Sequence, residues 1–172
     1  MKLTVHVPKQ TPDLCGPGAL SIMLSYFGVQ MSEAELAQLS SAIEAPGAVR
    51  HGGTEHEGMV AAAKALGYHV FTKAESTFDD LEYFVNEEKL PVVVGWFDTD
   101  DDHYAVAVEL PPEEIVLADS SSLGPERRFD REFFGKIWFD FVGEGNHRVS
   151  WHWLMVMSPE KREFKIEGGE YH

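Results

Sequence analysis

The chain has 172 residues, of which 44% are hydrophobic, with 14 basic against 29 acidic side chains and a formal net charge of −15. That length suits one domain, and about a quarter of the residues are Leu, Ile, Val or Phe, above the range of disordered chains. So acidic a surface repels phosphate backbones and anionic lipid heads, which argues against a nucleic-acid or membrane-surface partner. The single cysteine, Cys15, excludes an intramolecular disulfide and any zinc site needing two or more thiolates. No stretch approaches the ~20 apolar residues that span a bilayer, and the first residues lack the apolar segment of a secretory signal. The expectation is a cytoplasmic protein with a reduced thiol and no membrane segment.

The first half reads as helical. Ala19, Ile22, Met23, Tyr26 and Phe27 recur at helical spacing, which predicts a helix over 18–27 with Gly28 as its stop. Ser32 with Glu35 forms a capping-box pattern that opens a short helix through Leu39. Ala45 to Gly53 reads as a long loop. Thr54 with Glu57 repeats the capping pattern before GMVAAAKALG, a helix ending at Gly67. A fourth helix is predicted from Thr77, with Asp79 and Asp80 in its first turn, to about Glu88.

From Pro91 the period changes. PVVVGWF is a continuous β-branched and aromatic run, as expected of a strand buried on both faces. HYAVAVEL and EIVLAD follow, joined through residues 111–114 as a hairpin. Asp130 is expected to cap one helical turn through Phe134, and SWHWLMVM reads as a last strand. On it Trp151 and Trp153 would share one face and His152 the other, while Trp96 and Trp138 belong to the core. Helices first and antiparallel strands afterwards predict an α+β fold, as one domain over 1–159. The charged segment 160–172 follows, ending in EGGEYH. It is expected to fray, with Gly168 and Gly169 flexible.

Cys15 sits in the run Pro12-Asp13-Leu14-Cys15-Gly16-Pro17-Gly18, at a helix start. There the unsatisfied N–H groups and the positive end of the helix dipole favour thiolate over thiol. Gly16 leaves the approach to the thiol open, and Pro17 sacrifices no helical hydrogen bond in the first turn. The bland alternative is a buried cysteine acting as a small hydrophobe. A nucleophile also needs a base, and of eight histidines His103 is best placed, at the start of a strand after the acidic turn 98–102. Asp119 closes the next strand. In an antiparallel hairpin the start of one strand and the end of the next share an edge, so the two side chains can be neighbours. Nucleophile, base and orienting carboxylate are then all present.

With Gln10, Asp13-Leu14-Cys15-Gly16-Pro17-Gly18-Ala19-Leu20, His103-Tyr104-Ala105-Val106 and Leu117-Ala118-Asp119, the sequence resembles the bacteriocin-processing (double-glycine) cysteine peptidases and their stand-alone relatives. These belong to the papain-like superfamily, and the resemblance covers roughly residues 5 to 157. It implies a papain-like fold with N-terminal helices packed on a C-terminal antiparallel sheet. It also implies Cys15 as nucleophile, His103 as general base and acid, Asp119 as its orienter and Gln10 as an oxyanion-hole donor beside the Cys15 N–H. Gln10 stands one residue closer to the cysteine than the usual spacing. The implied substrate is a peptide or protein, cut at a peptide or isopeptide bond through an acyl-enzyme. Transporter-linked members cut after Gly-Gly. No cofactor and no metal is expected. Acyl transfer on the same triad, or a non-catalytic peptide-binding module on the same fold, stay open as alternatives, and the oligomeric state is unread.

Two other clusters invite a metal reading. Thr54-Glu55-His56-Glu57, with His51 nearby, lacks the His-Glu-x-x-His spacing and reads better as a surface helix start. The acidic run 98–102 lacks the glycine and terminal glutamate of an EF-hand loop, so a solvated turn is expected. Beside His103 those acids would favour the imidazolium and a substrate with basic residues.

Overall fold

The structure, a computed structural model, describes residues 1–8, 14–41, 54–121 and 123–172. The predicted loop 45–53 and the candidate residues Gln10 and His51 lie outside the described residues.

Helix α1 spans Cys15–Tyr26 and begins earlier than its periodicity suggests, because Leu14 O accepts from Gly18 N at 2.8 Å. Every residue from Gly16 through Leu24 is buried, so α1 is enclosed on all sides rather than amphipathic. It packs on α2 (Glu33–Ser41), α3 (His56–Ala65) and the sheet. The capping box of α2 forms as expected: Glu35 N donates to Ser32 Oγ, and Ser32 N donates to the Glu35 carboxylate. The Thr54–Glu57 box does not. The N-cap of α3 is Glu55, one residue later, and Thr54 O instead accepts from the Tyr104 hydroxyl at 2.9 Å.

A strand follows that the hydrophobic pattern did not announce, β1 (His69–Lys73). Helix α4 (Phe78–Glu82) opens on a capping box between Thr77 and Asp80 and continues as a π-turn over Tyr83–Glu87. Then come β2 (Val92–Asp98), β3 (Asp101–Glu109), β4 (Glu114–Ala118) and β5 (Glu126–Asp130). Asp130 caps α5 (Arg131–Ile137), accepting from Phe133 N at 3.0 Å, and the helix runs beyond the single turn expected. The chain ends in β6 (Phe139–Val142), β7 (Arg148–Trp151), β8 (Leu154–Ser158) and β9 (Glu170–Tyr171).

Among the described residues seven strands form one antiparallel sheet in the order β5-β4-β3-β2-β8-β1-β9, and β6 with β7 makes a separate hairpin. The fold is α+β, with the N-terminal helices on an antiparallel sheet. Strands β2 and β8 are central and apolar; β5, at one edge, alternates exposed and half-buried residues.

The SWHWLMVM segment is two strands, not one. His152 has φ +48, which breaks the run and sends Trp151 half into solvent while Trp153 stays buried. The shared face expected for the two tryptophans is therefore not realised, whereas Trp96 and Trp138 are fully buried. Nor does the C-terminal segment fray. Phe164 and Tyr171 stack with their planes 9° apart, both rings lean on Phe71, and Tyr171 pairs with Phe71 in the β1 ladder. Gly168 and Gly169 both take positive φ in the turn that brings β9 back, and a side chain at Gly169 would collide with the Phe71 ring. Apolar anchors outweigh the charged composition of this segment.

Candidate active site

Cys15 is the first residue of α1 and is partly buried. The first-turn N–H groups of a helix have no intrahelical partner, so its own N–H is available to an incoming group. The glycines around it answer to packing. A Cβ on Gly16 would lie 2.5 Å from Thr54 Oγ1, and one on Gly18 would lie 2.6 Å from Glu33 Oε1 and collide with Ser120 Oγ. Ser120 directly follows Asp119, so the bare edge of α1 lets the end of β4 close up against the helix that carries the thiol.

His103 lies near the start of β3, opposite Trp96 of β2, whose ring it meets edge-on at 5.8 Å. Asp119 lies one residue past the end of β4, where Ala118 pairs with Val106. His103 Nε2 and Asp119 Oδ1 are 2.7 Å apart, and the Asp119 side chain is wholly buried. Ser121 supplies two more donors to that carboxylate, N–H to Oδ1 at 2.9 Å and hydroxyl to Oδ2 at 3.1 Å. With Nε2 committed to Asp119, Nδ1 is the ring nitrogen left over, and Cys15 is among the neighbours that act on the ring. Burial works against the His103 imidazolium, yet hydrogen bonds to Asp119 and Cys15, and the charges they bring, push its pKa up to about 10. Burial likewise opposes the Asp119 carboxylate, and His103 together with Ser121 overcomes it, so this acid sits below its ordinary range.

The acidic turn acts differently from expectation. Asp98 faces inward, where both Arg127 guanidinium nitrogens donate to it, Nη2 to Oδ1 at 3.1 Å. Arg127 Nη1 also reaches Asp119 Oδ2 at 3.5 Å, and its guanidinium lies 4.8 Å above the Trp96 ring. Burial disfavours this cation, but Asp98 and Asp119 keep it firmly charged. The imidazolium is therefore favoured by Asp119 and Cys15 foremost, and Asp98 is not offered to a substrate. Asp98, His103 and Asp119 are the group of potential metal ligands found among the described residues, within 4.8 Å of one another. Their ligand atoms are already bonded to one another or to Arg127.

The peptidase C39 family model matches residues 4–142. The chain belongs to the peptidase C39 family. An uncharacterized protein of Methanothermobacter marburgensis is 32% identical over 123 residues, covering 72% of this chain and 75% of that one. Among solved structures, the peptidase domain of Streptococcus ComA, a bifunctional ABC transporter in a quorum-sensing pathway, aligns with a TM-score of 0.65 at 19% identity. That alignment covers 91% of this chain and 98% of the other. A double-glycine-motif protease from an AMS/PCAT transporter, solved with its leader peptide, aligns at 0.66 and 15% identity over 92% and 94% of the two chains. A C39-like protein from Bacillus anthracis aligns at 0.66 and 17% identity over 92% and 96%. These likenesses establish the C39 peptidase fold.

Among the described residues of this C39 chain, no helix is long and apolar enough to cross a membrane. His56, read from sequence as part of a surface helix start, is instead largely buried. Its Nε2 lies 2.6 Å from Asp140 Oδ2, and its ring stacks on Trp153 at 3.9 Å with the planes 12° apart. Asp140 and Arg127 were both missed. The available signals were an acid inside the aromatic run WFDFV, and an arginine two residues before Phe129 in a strand whose alternation an inward-facing charge conceals.

Proposed function

We propose that this protein is a cysteine peptidase that cleaves a peptide or isopeptide bond through Cys15, His103 and Asp119. The observation that carries this reading is the His103 ring bound to a buried carboxylate at 2.7 Å, in surroundings that favour imidazolium and that include the only thiol of the chain. In such a pair the Cys15 thiolate attacks the scissile carbonyl, and the electron pair moves to oxygen. The Cys15 N–H stabilises that oxyanion together with Gln10. Collapse breaks the C–N bond as imidazolium Nδ1–H passes its proton to the leaving amine, leaving a thioester. Water then attacks the thioester, giving its proton to His103, and Cys15 departs as thiolate beside a restored imidazolium. Asp119 keeps the ring turned for both transfers and stays ionised throughout.

The substrate is a peptide, as the leader peptide is for the double-glycine protease of the same fold. Cleavage after small residues is tested by matched peptides carrying Gly-Gly or Leu-Leu at the scissile bond. A basic preference, tested by Lys against Glu flanks, would rest on exposed Asp101, since Asp98 is engaged by Arg127.

Iodoacetamide alkylation of the single cysteine across pH tests the mechanism. Cys15 is expected to react well below pH ~8, the range of an ordinary thiol, and His103→Ala to remove that advantage. Ordinary thiol behaviour in the wild type would refute the activated pair. Failure of every peptide in a broad library, with an activated thiol confirmed, would refute hydrolysis.

A further inference from the structure

Beyond the three candidate residues, the charges continue. His103, Asp119, Arg127 and Asp98 alternate in sign as an ion-paired chain drawn from β3, the end of β4, β5 and β2. The links are His103 Nε2 to Asp119 Oδ1 at 2.7 Å, Asp119 Oδ2 to Arg127 Nη1 at 3.5 Å, and Arg127 to both oxygens of Asp98. The two Asp119 oxygens are thus divided, one toward His103 and the other toward Arg127. Arg127 is itself confined, with Trp96 on one side at 4.8 Å and Phe129 at 5.1 Å. All these side chains are largely or wholly buried, so their charges are weakly screened.

We propose that Arg127, held by Asp98, is a positioning residue for the His103–Asp119 pair. It fixes the second oxygen of Asp119, and its balance of charge with Asp98 sets how tightly His103 keeps its proton. The carboxylates that Arg127 binds are Asp98 and Asp119, and it acts through Asp119. The charged groups facing the pair are Cys15 from α1, Asp98 from β2 and Arg127 from β5. Glu33 from α2 adds its carboxylate beside Gly18 and Ser120. Asp102 adjoins His103 in β3 but turns to the other face, accepting from Phe141 N at 3.0 Å. Removing Asp98 leaves Arg127 uncompensated next to Asp119 and takes away a carboxylate within 4.8 Å of the His103 ring nitrogen, and both weaken the hold on the imidazolium proton. Removing Arg127 leaves an extra negative charge, which strengthens it. The two substitutions have opposite signs, and a merely structural role has no reason to produce that.

The assignment rests on the proposed reacting set, but its readout needs no substrate. In full-length protein carrying 13C-labelled histidine, the His103 ring is titrated by NMR and assigned by its loss in His103→Gln. A buried unit charge at this range moves a neighbour by about one pH unit. Asp98→Asn is expected to lower the His103 midpoint by about that much and Arg127→Met to raise it. The Asp98→Asn/Arg127→Met double variant should return close to wild type, and Arg127→Lys should stay near it. Shifts of the same sign in both single variants, or no shift in either, would overturn the proposal. If Arg127→Met does not fold, Arg127→Gln takes its place, and a His103 midpoint that does not rise in it overturns the proposal. Opposite shifts in a protein that cleaves no peptide would defeat the functional reading and leave this one standing. Unshifted rings in an active peptidase would do the reverse.

Discussion

Among the described residues two buried histidine–aspartate pairs of almost equal length stand in this domain. His103 meets Asp119 at 2.7 Å and His56 meets Asp140 at 2.6 Å, and each imidazole side chain is 13% exposed. Their surroundings separate them. His103 has Cys15 among the neighbours that act on its ring, a tryptophan edge beside it and an arginine behind its carboxylate. His56 lies flat on Trp153 with Tyr104 across from it, and it ties the start of α3 to β6. A carboxylate–imidazole bond is thus common to both and specific to neither. Chemistry follows from what the second ring nitrogen faces; where that is no nucleophile, the pair joins helix to sheet.

Removing each carboxylate should break this comparison most visibly. Asp119→Ala is expected to slow Cys15 alkylation at pH 6 by tenfold or more, because the imidazolium loses its orienting partner, an effect on the order of general acid–base contributions. Asp140→Ala should leave the alkylation curve in place and lower stability by about 1–3 kcal/mol, the cost of leaving a buried imidazole without its hydrogen-bond partner. Denaturant midpoints and alkylation rates measured on both variants check this. Equal losses of reactivity would mean that the two pairs act as one site.

Each pair is also packed against a glycine. A Cβ on Gly18 would press on Ser120, next to Asp119, and one on Gly95 would lie 2.5 Å from Asp140 Oδ2, the oxygen bonded to His56. Both alanine variants are expected to lose about 1–3 kcal/mol, the usual cost of overpacking. Only Gly18→Ala should also depress the reactivity of Cys15, because it pushes α1 away from the end of β4. Thermal denaturation with alkylation at neutral pH separates the two effects.

What could be read in advance followed the reach of local rules. Strand alternation and hairpin order brought His103 and Asp119 to one edge, and Gly-Pro after Cys15 marked a helix start. Ser32 with Glu35 marked another, correctly. Thr54 with Glu57 misled because the Tyr104 hydroxyl, fifty residues away, claims the Thr54 carbonyl. Strand β5 escaped because its inward positions hold an arginine as well as a phenylalanine, and Arg127 is tolerable there only with Asp98 and Asp119 beside it. The same holds for Asp140, whose burial depends on His56 from a distant helix. Charges that are buried because of long-range partners leave no periodic trace. The C-terminal segment repeats the lesson with aromatic rings, since Phe164 and Tyr171 find Phe71 across nearly one hundred residues.

The smallest expected effect concerns stability against pH. His103 is raised from 6.5 to about 10 in the fold, so its contribution is complete below about 6.5 and is lost as pH rises through about 10. Asp119 is lowered from 3.8, so its contribution is present above that value and is lost as pH falls through its lower folded value. Between the two windows the pair contributes fully. Thermal midpoints of wild type and His103→Gln should therefore differ most at mildly acidic pH and converge from pH 6.5 toward 10. Cys15→Ser removes one of the partners that raise His103, so in that background convergence should still begin near pH 6.5 but be complete at lower pH. Parallel curves for wild type and His103→Gln across that window would mean that the imidazolium is not favoured by the fold, and the contrast between the two histidines would then rest on geometry alone.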